Sequence, residues 1–220
     1  MNATGALFDA GELNGQPRRR RASVKVKVSD DKVTGVGGVA LWGPMLDNLN
    51  LVGVADGRRL RPIGPGGYTG GECYRALVEI LLAGGDFLSD RSLLDGPTQQ
   101  LRGAHVLPSH ATMFRFCGGA DFGRVQKAAA VNRTMLARAW ASGAGPSGGM
   151  VTVDPDATLV DTYGPDKEGS KFSYRGEVGL SPLIGVCGET GDVLAIRARS
   201  GNAHSGRGNA GFIRECVSAI

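Results

Sequence analysis

The sequence predicts an α+β chain, with helices first and strands after them. Apolar residues recur at helical spacing up to about residue 140, the stretch "ASGAGPSGG" (141–149) breaks the pattern, and beyond it apolar and polar residues alternate in short runs bounded by glycine. The predicted organisation is a flexible basic tail with a short strand (1–32), a helical region (33–142), a linker (143–149) and a strand-rich region (150–220).

In the tail, the first 17 residues read as loosely ordered, and "RRRRASVKVKVSDD" follows them. Arg18, Arg19, Arg20 and Arg21 are candidates to grip phosphates. Val24, Val26 and Val28 alternate with Ser23, Lys25 and Lys27, which predicts a strand with one basic face. A solvated tail before an edge strand guarded by lysines explains the same residues equally well.

The spacing of Val39, Trp42, Leu46 and Leu49 predicts an amphipathic helix over 36–51, with Pro44 demanding a late start or a kink. "RPIGPGGYTGGE" reads as a connector, since its glycines match neither a P-loop nor a dinucleotide fingerprint. A helix over 72–82 should turn Cys73, Leu77, Ile80 and Leu81 inward, and short helices should follow over 89–94 and 98–101. In "LPSHATMFRFCGG", Ser109 caps about two helical turns that end at glycine. A polar-tipped helix after several short ones fits a helix-turn-helix, with His110, Thr112 and Arg115 facing a DNA groove. Met113, Phe114 and Phe116 suit an ordinary core helix as well. Asp121 caps a longer helix to about Trp140, with Val125, Ala129, Leu136 and Trp140 as its apolar stripe. Arg124, Lys127 and Arg138 lie on another face, either solvated or meeting phosphate.

Charge is distributed unevenly. Residues 1–150 carry 18 lysines and arginines against 12 acids, and residues 151–220 carry 7 against 9, within a net +4. The basic excess at the front is where an anionic partner such as DNA would be met. No apolar run has the length of a membrane span and the N-terminus lacks a signal-peptide pattern, so a cytoplasmic protein with no membrane association is expected. The four cysteines show neither metal-site nor disulfide spacing and read as buried free thiols. His105, His110 and His204 sit apart from each other, and nothing arranges any of them with a serine or cysteine as a nucleophile pair.

The strand-rich region opens with "MVTVDPDATLVDTYGPDKEG". Val151, Val153, Ala157 and Leu159 share one parity and Thr152, Asp154, Asp156 and Thr158 the other, so a strand points both carboxylates the same way. Such a pair suits a hard divalent cation or general acid/base work. An edge strand with a polar outer side is the alternative, and Pro155 favours an edge because it cannot donate within a central ladder. A charged loop follows; then "LSPLIGVC" and "DVLAIRARS" flank "GETG" as a predicted hairpin, and the end reads as a loop running into a helix that stops among apolar residues.

The order of these features resembles the DDE transposases of bacterial insertion sequences. The shared elements are the Asp-x-Asp-Ala-Thr strand (154–158), the Lys-Glu-Gly loop (167–169), the Tyr-x-Gly element (174–176) and the Gly-Asn-Ala turn (201–203). Within those enzymes the chain looks most like the thirteen-eighty group, from about residue 30 onward. The resemblance implies the first strands of a ribonuclease-H-like α/β domain, incomplete here, with Asp156 as the first catalytic carboxylate and Asp154 beside it as a metal ligand. It further implies magnesium or manganese as the cofactor of a two-metal phosphoryl transfer, and double-stranded DNA, as transposon ends and target, as the partner. A homodimer is expected for the full-length form, in the bacterial cytoplasm with the nucleoid. Lys167, Lys171 and Arg175 become candidate contacts to transposon-end DNA, with ordinary loop charges as the plainer reading. The family's second aspartate and its glutamate have no counterpart in these 220 residues, so a truncated chain with half an active site is expected. The alternative is a non-catalytic DNA-binding product that competes with intact transposase.

Overall fold

The computed structural model describes residues 35–60, 67–102, 105–163, 167–204 and 206–220. Arg18–Arg21, the strand expected over 24–28, the first half of the glycine-rich connector (61–66) and Asp166 lie outside the described residues. The chain divides into two compact units, Met1–Val131 and Asn132–Ile220. The fold is mixed α+β, with the helices before the strands and one more helix after them.

The first unit holds α1 (Val39–Asn48), α2 (Leu51–Gly57), α3 (Gly70–Leu82), a 3-10 turn (Leu88–Leu94), α4 (Pro97–Leu101), α5 (His110–Gly118) and the start of α6 (Phe122–Ala139). The helix predicted over 36–51 is α1, shorter at both ends, and α2 from Leu51 is a further helix that the spacing did not predict. Asn50 adopts the left-handed conformation at φ 55, which a short polar side chain tolerates, and the chain turns there between α1 and α2. α1 starts late, at Val39, and runs through Pro44.

α3 begins at a capping box, in which Thr69 Oγ1 accepts from the Glu72 amide at 3.1 Å and Glu72 Oε2 accepts from the Thr69 amide at 2.7 Å. Its inward face differs from expectation. Cys73 and Ile80 are buried, but Leu81 is 59% exposed, while Arg75 and Glu79 are fully enclosed. The reason is a buried charge network. Arg75 Nε donates to Glu79 Oε1 at 2.8 Å and Arg102 Nε donates to Glu79 Oε2 at 2.6 Å. Arg75 also pairs with Asp47 and donates to the Gly43 carbonyl at 3.2 Å. Two arginines share one glutamate, so each buried charge keeps a partner.

Ser109 Oγ accepts from the Thr112 amide at 3.3 Å and starts α5, with Met113 and Phe116 buried. Asp121 Oδ1 accepts from the Arg124 amide at 2.7 Å at the start of α6. Of the stripe predicted for α6, Val125 is exposed and Val131 is enclosed in its place.

The second unit takes α6 from Asn132 onward, a short wide turn at Trp140–Ala144, six strands and α7 (Asn209–Val217). Strands β1 (Val153–Ala157), β5 (Leu183–Cys187) and β6 (Val193–Arg197) form an antiparallel sheet in the order β1-β5-β6. The expected hairpin is β5 and β6. The segment expected to be only a charged loop (161–177) contributes Asp161 and β3 to a second antiparallel sheet, β2 (Val160–Asp161), β4 (Val178–Leu180) and β3 (Lys171–Phe172), in the order β2-β4-β3. Asp161 therefore belongs to a strand.

One face of the first sheet packs on α7. Leu183, Cys187, Leu194, Phe212, Cys216 and Ala219 are buried together, with Leu136, Trp140, Val153 and Ala157 against them. Each fully buried Leu or Phe contributes about 1.5–3 kcal/mol relative to an exposed one. Gly185 makes the approach of α7 possible, since a Cβ there would lie 2.3 Å from Cys216 Sγ. The four cysteines are free, and all but the half-buried Cys117 are buried. No helix among the described residues is long and apolar enough to cross a membrane.

Candidate active site: the acidic strand and its surroundings

β1 alternates as its sequence demands. Val153, Pro155 and Ala157 face the core opposite Cys187, Gly185 and Leu183, whereas Asp154 and Asp156 are exposed on the other face. There they stand opposite Val186 and Ile184, and Val193 and Ile196 of β6 extend the same face at 48% and 56% exposure. β1 lies at one end of the described sheet, which accommodates Pro155 without loss of a ladder bond.

The two carboxylates differ in their local bonding. Asp156 Oδ1 accepts from the Ala157 amide at 2.7 Å, which fixes its side chain against its own strand. No cation among the described residues forms an ion pair with Asp154 or Asp156, so both charges are open to an external cation. Two exposed carboxylates on one strand face are oxygen donors of the kind magnesium and manganese take. They fit part of such a site. Among the described residues no group of three or more His, Cys, Asp or Glu side chains could hold a metal ion.

A third acid, which sequence reading passed over within "GETG", positions the strand. The Thr152 amide donates to both oxygens of Glu189, at 3.0 and 2.9 Å, and the Gly188 amide donates to the Thr152 carbonyl at 2.9 Å. The hairpin tip thereby grips the residue before β1. The Thr152 hydrogen bonds hold the Glu189 carboxyl down at about 2. Only the turn type was visible in the sequence, because the partner of Glu189 lies 37 residues away.

The family motifs converge on the small sheet. The Gly201 amide donates to the Gly169 carbonyl at 3.3 Å, and Leu180 bridges Ser200. A Cβ on Gly201 would sit 2.3 Å from the carbonyl oxygens of both Gly179 and Lys171, so only glycine fits. Thr162 and Ser170 hydroxyls bond at 2.6 Å across the same region. The Lys-Glu-Gly loop, strand β4 and the Gly-Asn-Ala turn thus form one backbone-packed node.

Residues 77–220 match the family model of transposase DDE domain group 1. The chain belongs to this transposase family. No curated protein and no solved structure matches it.

The basic candidates of the transposase fall in separate places. Lys167 and Lys171 are exposed, the latter on β3 and sharing a row with Gly179 and Asp161. Arg175 is exposed in the turn after β3, where its Nε donates to Tyr174 Oη at 3.1 Å and its guanidinium lies 5.5 Å from the ring centroid. Beside these cations Tyr163, Phe172 and Tyr174 are exposed, as are Asp161, Glu168 and Glu177. In the first unit, Arg115 and His110 are exposed on α5, whereas Thr112 is half-buried and its hydroxyl lies 3.0 Å from that of Ser109. Arg115 Nε donates to the Ala111 carbonyl at 3.1 Å.

Proposed function

We propose that the chain serves insertion-sequence transposition, binding double-stranded DNA at transposon ends and target and supplying Asp156 as a catalytic carboxylate of strand cleavage and transfer. The observation that carries the reading is the pair of unneutralised aspartates on the outer face of β1, in a chain of the transposase DDE family. The sheet order β1-β5-β6, antiparallel and followed by α7, supports a ribonuclease-H-like domain with its first acid on the first strand.

Asp156 and Asp154 would hold magnesium or manganese. Bound there, the cation would supply Lewis-acid activation and charge neutralisation at a phosphoryl group. The chain's own residues prepare that place. Glu189 fixes the entry to β1 through Thr152, the Ala157 amide orients Asp156, and Asp154 stands one strand repeat away on the same face. Two carboxylates do not complete a two-metal centre, so further acidic ligands join them in the active enzyme. Arg18–Arg21, Arg115, Lys167, Lys171 and Arg175 are the proposed phosphate contacts, and a homodimer would bring two ends together.

The test is Asp156→Ala in the active transposase with its own element's ends. Cleavage should disappear while end binding changes little. A variant that cleaves at the wild-type rate would refute the assignment of Asp156.

A further inference from the structure

The first unit carries a surface cavity of about 450 Å³, lined by Arg59, Asp121, Gly123, Arg124 and Lys127. Its chemistry is unbalanced. None of the three cations forms an ion pair among the described residues. The carboxylate in the lining, Asp121, accepts the Arg124 amide at 2.7 Å, and among the described residues Lys127 Nζ donates to the Arg59 carbonyl, at 3.3 Å. Three cations and one carboxylate around one hollow leave an excess of positive charge, which an entering anion would offset.

The backbone reinforces the arrangement. Arg59 closes the end of α2 in the left-handed conformation, φ 52, where glycine is the usual residue. A cationic side chain occupies a position whose backbone would be relaxed by glycine, and that side chain lines the hollow. At the other wall, a Cβ on Gly119 would lie 3.1 Å from Arg124 Nη1 and 3.2 Å from the Arg115 carbonyl. The cavity therefore adjoins the C-terminal end of α5, whose exposed face carries His110 and Arg115.

We infer that this cavity is a phosphate-binding pocket that seats the backbone of duplex DNA beside α5. The inference rests on the DNA-binding reading and names the place where one strand's phosphate is held. The lining argues for phosphate over other ligands. No aromatic or branched apolar side chain lines it, so a small organic molecule would lack the wall such pockets provide. No Asn or Gln lines it either, so it lacks the side chains that read adenine edges, whereas guanidinium forks match phosphate oxygens. Free phosphate shares the chemistry and differs only in source.

The experiment measures binding of the chain to a labelled DNA duplex over a series of potassium chloride concentrations. Arg59→Gln, Arg124→Gln and Lys127→Gln are compared with Arg214→Gln, an exposed arginine on α7, all checked for unchanged melting temperature. Each pocket variant should weaken matched and scrambled duplex alike and lower the slope of log K against log salt by roughly 0.9, the contribution of one phosphate contact. Arg214→Gln should leave the slope as it is. Binding by the wild-type chain with the same slope in all three pocket variants overturns the pocket while leaving DNA binding intact. Should the wild-type chain bind no duplex, the DNA reading itself fails, and inorganic phosphate titrated against the Gly123 and Arg124 amide resonances decides the rest. Shifts in the wild type that vanish in Arg124→Gln would keep a phosphate pocket with DNA struck out as its source, and no shifts would overturn the pocket as well.

Discussion

The Thr152 amide donates to both carboxylate oxygens of Glu189, which ties the β5–β6 tip to the residue that leads into the acidic strand. The bond is charge-assisted and holds the Glu189 carboxyl at about 2, below its ordinary value of 4.5. A depressed folded-state pKa contributes stability that is fully present above about pH 4.5 and is lost as pH falls toward 2. Urea unfolding at neutral pH and near pH 3 should show a loss for the wild type that Glu189→Gln reduces. Equal losses in the two proteins would separate this carboxyl from acid stability.

Glu79 answers two buried arginines. Glu79→Gln keeps the shape and removes the charge, leaving Arg75 and Arg102 without full compensation. The expected cost is about 3–5 kcal/mol, read as a lower urea midpoint with an unchanged slope.

These first two cases also mark what the sequence could disclose. The aspartate pair, the Ser109 and Asp121 caps and the β5–β6 hairpin depend on neighbours within a few residues, and their patterns were readable. Arg75 and Glu79 lie on the side of α3 opposite Leu77 and Leu81, so an apolar stripe read through those leucines turns both charges toward solvent; their inward position is matched by Arg102, 23 residues beyond Glu79, and by Asp47, 28 before Arg75. The β2-β4-β3 sheet escaped notice because two of its strands have only two residues, too few for any period to emerge. The turn at Gly201 meets it through the Leu180–Ser200 bridge, a partner 20 residues along the chain. Likewise, Arg59 lies between a helix and a glycine-rich stretch, and nothing local marks it as a wall of a cavity with Arg124 and Lys127.

Gly185 should reject a methyl group. In Gly185→Ala the new Cβ meets Cys216 Sγ at 2.3 Å and Phe212 at 3.4 Å, and α7 must shift. A loss of about 1–3 kcal/mol is expected, and Cys216→Ala in the same chain should recover much of it. Two additive losses would show that the strain lies elsewhere.

Trp140 Nε1 donates to Asp192 Oδ2 at 2.7 Å. Trp140→Phe removes a hydrogen bond to a charged acceptor and should destabilise the chain by about 1.5–3 kcal/mol. Asp192→Asn retains an acceptor oxygen, so its urea midpoint should lie closer to the wild type.

The backbone node at Gly201 has a meaning at the level of the gene. Every base change in the first two positions of a glycine codon inserts a bulkier residue or a stop, and at Gly201 there is no room even for a methyl group between the carbonyl oxygens of Gly179 and Lys171. In a randomly mutagenised library selected for a folded product, codon 201 would survive only through silent third-base changes, while the neighbouring codon for exposed Asn202 would drift.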